Sequence, residues 1–253
     1  MKKMFTALCF LIMVSAASSA WGHMLWLLAD NYHPDIGDTV QIEINWGHHF
    51  PKEELNKEGI LKRVYALDPS GHTVDLKQVS MSKYELTVKQ KGVYPIFAQI
   101  NSGVYTKTTD GYKRQNKKGL DNALKCVSYD MRAKTVICAG GQRQGVSQEA
   151  DDLLEIVLLE NPGRLKEGDL LPVKVLFQGK PLSREYLYAT YVGFSDQSET
   201  YAFSTMTNKD GEAKIKLVKK GAWLAKVPYK LPYPDLAECD EYYYCATLTF
   251  EVK

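Results

Sequence analysis

The chain has 253 residues, with 32 basic against 30 acidic side chains and a formal net charge of +2. With Lys2 and Lys3 set aside as part of a leader, the two counts are equal. That balance excludes the strong positive field that nucleic acid or an anionic membrane surface would select for. About 230 residues remain past the leader, room for one large or two ordinary domains.

Residues 1–22 read as a cleaved secretory signal. Lys2 and Lys3 start it, Leu8 to Val14 form a short apolar core, and small residues run from Ser15 to Ala20. Cys9 lies in the apolar core without a lipid-anchor context. Two lysines and a short core point to bacterial export, so a periplasmic location is expected. No later apolar stretch reaches the ~20 residues of a membrane span.

Two cleavage sites fit. A cut after Gly22 makes His23 the first residue, where its amine and ring Nδ1 grip one ion together. A cut after Ala20 leaves Trp21-Gly22-His23, whose amine, two amides and imidazole make a square nitrogen set. Either end suits Cu(II) or Ni(II), which favour nitrogen donors in tetragonal geometry.

The expected fold is all-β: two tandem antiparallel β-sandwich domains of immunoglobulin-like type, over residues 23–150 and 151–253. Strands are expected at Met24 to Ala29 and Thr39 to Trp46, where Ile42 and Ile44 alternate with Glu43 and Asn45. The span Lys52 to Leu61 is a helix candidate. Turn signals stand at Asp68-Pro69-Ser70-Gly71 and Asn208-Lys209-Asp210-Gly211. Gly37-Asp38-Thr39-Val40 is echoed by Gly168-Asp169-Leu170-Leu171. Tyr84 to Ile96 is echoed by Ala213 to Ala225. Both echoes fall about 130 residues on, a domain-sized period. The boundary is placed in the polar stretch Gly140 to Asp152.

In this arrangement the start of the first strand meets the end of the second, so His23 and His48 or His49 converge as metal ligands. Adjacent strand residues face opposite ways, so one of His48 and His49 is expected to stay out. His33 and His72 are expected as solvated loop residues. Trp26 and Trp46 are expected in the core, and Tyr242-Tyr243-Tyr244 to alternate between core and solvent. The polar segment Asn101 to Asn122, with Tyr105, Asp110 and Tyr112, reads either as a lid over the site or as a mobile solvated loop.

Four cysteines lie past the leader: Cys126, Cys138, Cys239 and Cys245. An even number in an exported chain implies disulfides. Three connectivities are open. The local one, Cys126–Cys138 with Cys239–Cys245, is expected because each pair flanks a hairpin-like stretch.

No nucleophile–base motif, HExxH or phosphate-binding glycine loop is present, so no enzymatic activity is expected. Two other readings stay open. One is an envelope module that recognises glycan or protein through its tyrosines. The other is an oxidative copper enzyme built on an N-terminal histidine brace.

The chain resembles the DUF4198 family. The resemblance rests on His23-Met24-Leu25-Trp26-Leu27, Gly37-Asp38 and Gly47-His48-His49-Phe50-Pro51. In the second half it rests on Leu154 to Leu158, Asn161-Pro162, Gly168-Asp169, Val175 to Pro181, Gly221-Ala222-Trp223 and Ala246 to Val252. It implies a periplasmic component of nickel or cobalt uptake, with the metal ion as ligand and an inner-membrane metal transporter as partner. Family members often carry a further histidine after the Gly-x-Trp turn. Here Ala225-Lys226-Val227-Pro228-Tyr229 has none, so the site is expected in the first half alone.

Overall fold

The computed structural model describes residues 23–53, 55, 57–142 and 153–253. The expected leader and the boundary expected at residue 150 lie outside these residues. The first half contributes β1 (Met24–Ala29), β2 (Thr39–Gly47), β3 (Leu61–Leu67), β4 (Thr73–Val74), β5 (Lys77–Gln78), β6 (Lys83–Thr87), β7 (Gly92–Ile100), β8 (Gly103–Thr108), β9 (Gly111–Lys113) and β10 (Ala123–Ala139). The second half contributes β11 (Leu154–Leu158), a 3-10 turn at Pro162–Arg164, β12 (Leu170–Phe177), β13 (Lys180–Pro181), β14 (Tyr186–Tyr191), β15 (Phe203–Met206), β16 (Glu212–Lys216), β17 (Gly221–Pro232) and β18 (Glu241–Val252).

The protein is all-β, and its described strands pair antiparallel except for β10 with β18. The described residues of the span expected as a helix, Lys52 to Leu61, form loop and turn, and Leu61 opens β3. No helix among the described residues is long and apolar enough to cross a membrane.

The internal repeat is physical. β2 pairs β1 and β6 in one small sheet, and β12 pairs β11 and β16 in another. The turns that enter β2 and β12 close with matching hydrogen bonds. Gly37 N–H donates to Val88 O and Gly168 N–H to Leu217 O; Val88 N–H donates to Asp38 O and Leu217 N–H to Asp169 O. Both glycines hold φ near +100°, which side chains resist.

The two small sheets pack on opposite faces of one ten-stranded sheet that runs through both halves. At its centre β10 pairs β7 antiparallel and β18 parallel. Side chains alternate across a strand, so β10 serves two cores. Met131, Ala133 and Ile137 join Trp26, Ile42 and Ile44 in the first core. Val136 and Cys138 join Val173, Trp223 and Phe250 in the second. The expected sandwiches are present, and the ten-stranded sheet contributes to both cores.

Burial on both sides explains the apolar run Met24-Leu25-Trp26-Leu27, all four buried. β1 is an edge strand of its sheet, and unpaired edge carbonyls need donors. β18 supplies them: Thr247 Oγ1 donates to Leu25 O and Thr249 Oγ1 to Leu27 O, each at 2.6 Å. A buried ion pair, Lys134–Glu155 at 2.6 Å, ties β11 to β10.

Candidate functional site

The β1–β2 register sets Met24 opposite Gly47 and Leu25 opposite Trp46. His23 therefore meets the residue that follows β2. The His23 and His48 ring centroids are 4.4 Å apart, and His23 stacks on Trp46 at 4.4 Å. The expected convergence of His23 with one histidine of the pair is what the strand pairing produces.

The loop after β2 is fixed by Glu53. Its Oε2 accepts the backbone N–H of His48 at 2.6 Å and of His49 at 2.8 Å. Its own N–H donates to the Asn45 side chain at 3.2 Å, and its carbonyl accepts from Trp46 N–H at 3.1 Å. The Trp26 indole N–H donates to Pro51 O at 2.8 Å. Gly47 makes this possible, because a Cβ there would fall 2.0 Å from the Glu53 carboxyl carbon.

Burial, then the neighbouring His48, push the His23 pKa below its ordinary value, against an opposing pull from Glu53. A lowered pKa favours the neutral ring, the form whose nitrogen lone pair can bind a metal. Burial alone would raise the Glu53 carboxyl. The two backbone N–H groups and both imidazoles outweigh burial and hold it below the usual range.

A pocket of about 590 Å³ opens in front of these rings. His23, Trp46, His48, His49 and Lys57 form one side. The segment Asn101 to Asn122 forms another. In it β8 and β9 make a hairpin, with β8 paired to β10. Tyr105, Tyr112, Lys113 and Arg114 line the pocket from this hairpin, and Tyr129 and Met131 from β10. Tyr105 lies 5.8 Å from Tyr112 and 6.0 Å from Tyr129, ring to ring. Gly103 admits Tyr129, whose hydroxyl would stand 2.6 Å from a Cβ placed there. Asp110 is not in the wall. It sits in the hairpin turn, where Asn122 Nδ2 donates to it at 2.7 Å.

The remaining wall comes from the second half. Ser198 and Glu199, between β14 and β15, line the pocket. Glu199 holds φ at +53°. Both its carboxylate oxygens bind Lys226 Nζ, at 3.0 and 2.8 Å, and Tyr201 OH donates to it at 2.9 Å. His49 faces the same loop, its Nδ1 3.4 Å from Asp196 O. The only sequence signal for Glu199 was Lys226 itself, a charge inside the apolar run of β17. A buried lysine needs a carboxylate, but nothing local said which.

The described residues hold no cluster of three or more His, Cys, Asp or Glu side chains arranged for a metal ion. His23 and His48 are a pair, and His49 stands beside them at the pocket rim. Of the other histidines, His72 is exposed in its turn near Asp68, as expected. His33 is not. Its side chain is 15% exposed, with Nε2 3.4 Å from the Glu251 carboxylate, because its loop packs against the end of β18.

The cysteines correct the local pairing. Cys126 bonds Cys239, while Cys138 and Cys245 are free and buried. Cys126 and Cys138 lie in one continuous strand, β10, and so stand about 40 Å apart at ~3.3 Å per residue. Cys245 lies within β18, turned into the first core. Burial pushes the Cys138 thiol up to about 11, despite a hydrogen bond to Asn161.

These features define an all-β protein with an imidazole-and-tyrosine pocket at the seam of two sandwiches. The chain belongs to the DUF4198 family: residues 20–230 match the family described as a domain of unknown function. Comparison with curated proteins gives no match. Among solved structures, the D0-D1 domain of intimin is similar at 14% identity and a TM-score of 0.22, covering 90% of this chain and 97% of that one. Murine CEACAM1b is similar at 11% identity and a TM-score of 0.22, covering 91% and 98%.

Proposed function

We propose that this protein binds a transition-metal ion through His23 and His48 and assists its uptake, nickel or cobalt first and copper next. It acts in the periplasm as a binding protein without catalysis of its own, and delivers the ion to an inner-membrane metal transporter. One observation carries the reading: two imidazoles stand 4.4 Å apart among the residues that line a pocket. Nitrogen donors suit these late first-row ions. A cut after Gly22 adds the His23 amine as a third nitrogen. His49 is the weaker candidate, since its ring is directed toward Asp196.

The test is calorimetric titration of the protein carrying its natural N-terminus with Ni(II), Co(II) and Cu(II). His23→Ala and His48→Ala should each lower affinity at least tenfold, and His49→Ala should change it little. Wild-type affinity in both of the first two variants would sink the metal reading.

A further inference from the structure

The pocket is larger than a bare cation needs. Its volume, about 590 Å³, falls among small-molecule sites, which span roughly 300–1,000 Å³. A single ion held by two rings would leave most of that space to water.

Its charges point the same way. Lys57, Lys113 and Arg114 all line it. Among the described residues none of the three has a carboxylate partner. Among the described residues, the Glu53 and Glu199 carboxylates are already engaged. Glu53 accepts two backbone N–H groups, and Glu199 is bound to the buried Lys226. Three uncompensated positive side chains repel a dication and attract anions, an effect that low-dielectric walls enlarge. Such a rim opposes the entry of a naked metal ion and favours one that brings its own negative groups.

We infer that the cargo is an anionic chelate, a transition metal already held by a small polycarboxylate. The metal faces His23 and His48. The chelator's outward carboxylate oxygens meet Lys57, Lys113 and the guanidinium fork of Arg114, whose planar donors match a carboxylate. Tyr105 and Tyr112 supply apolar ring surface and hydroxyl donors along the same wall. This inference rests on the metal reading above and adds the class of ligand that accompanies the ion.

The experiment titrates the full exported chain with NiCl2, with preformed nickel–citrate and nickel–nitrilotriacetate, and with each chelator alone. Mass spectrometry of the isolated complex reports whether the chelator stays bound. At least one chelate should bind tenfold or more tighter than NiCl2 and be retained with its metal. The variant Lys57→Gln/Lys113→Gln/Arg114→Gln should erase that advantage while keeping or improving the affinity for NiCl2. Circular dichroism confirms that it is folded. If NiCl2 binds as tightly as both chelates, or the chelators are left in solution, this inference fails and the metal reading stands. If nothing binds in any arm, both fail. If the chelators alone bind as tightly as their nickel complexes, and His23→Ala/His48→Ala changes nothing, the metal reading fails and this inference with it.

Discussion

Glu199 closes on Lys226 with both carboxylate oxygens, and the two ends of this contact live in different surroundings. The Lys226 side chain is 1% exposed, while that of Glu199 is 27% exposed and lines the pocket. One carboxylate thus neutralises a charge buried in the second half and forms part of the wall in front of the first half's histidines. The second half therefore supplies part of the pocket wall.

Glu199→Gln should leave the Lys226 ammonium buried without a counter-charge. Breaking such a pair is costly, and partial solvation of Glu199 reduces the loss to about 2–3 kcal/mol. Adding Lys226→Met removes the stranded charge, so the double variant should be more stable than Glu199→Gln alone. Urea denaturation gives both values; an unchanged midpoint for Glu199→Gln would show that the contact contributes nothing.

Gly47→Ala places a methyl group where the Glu53 carboxyl lies. Glu53 must then release the His48 and His49 N–H groups, and the His48 ring loses its fixed position beside His23. Ni(II) affinity should fall at least tenfold, while far-UV circular dichroism keeps its β-sheet form. Retention of wild-type affinity would mean that the loop after β2 does not set the ligand geometry.

The disulfide encloses a loop of sequence separation 113. In the chain-entropy account a loop of that size stabilises by about 4–5 kcal/mol, so Cys126→Ser should lower stability by that order. Peptide mapping without reduction should recover a Cys126–Cys239 link. Cys138 and Cys245 should resist iodoacetamide until denaturant is added, since both are buried and burial raises both thiol pKa values. Rapid labelling of either in the native protein would contradict this.

Acid should destabilise the protein partly through Asp240. Burial works to raise its carboxyl, but Lys117 and the Cys126 N–H prevail and hold it below its ordinary value of 3.8. The unfolded chain then binds that proton more readily than the folded one. The stabilisation is complete above the ordinary value and disappears as pH falls through the lower folded value. The side chain is 37% exposed, so the effect is modest. In melts between about pH 5 and pH 2, Asp240→Asn should flatten part of the acid limb; an identical slope in both proteins would remove Asp240 from the account.

The strands around the histidines were legible because their pattern is local. Ile42 and Ile44 alternate with polar neighbours, and β1 and β2 are joined by a short connection, so the meeting of His23 and His48 followed from strand direction. The disulfide was not legible, because polar residues between Cys126 and Cys138 looked like a break in the strand. Asp130 and Arg132 pair with each other at 2.7 Å, and Lys134 pairs with Glu155 across the halves. Their partners let β10 run unbroken, and the partner of Lys134 comes from the other half of the sequence. Glu199 escaped for the same reason: Ser195 to Thr200 reads as surface loop until Lys226 is seen beneath it.

The parallel pairing of β10 with β18 also constrains the order in which the molecule assembles. Thr135 and Thr249, hydrogen-bonded at 3.4 Å, are 114 residues apart. A chain synthesised from its N-terminus has made His23, His48 and the tyrosine hairpin long before the strand that completes the ten-stranded sheet exists. Until Glu241–Val252 arrives, one edge of β10 has no neighbour and the carbonyls of Leu25 and Leu27 lack their threonine donors. The histidine pair therefore acquires its finished support only when the last strand is in place, so truncating the C-terminus would impair a site whose imidazoles lie at the opposite end of the sequence.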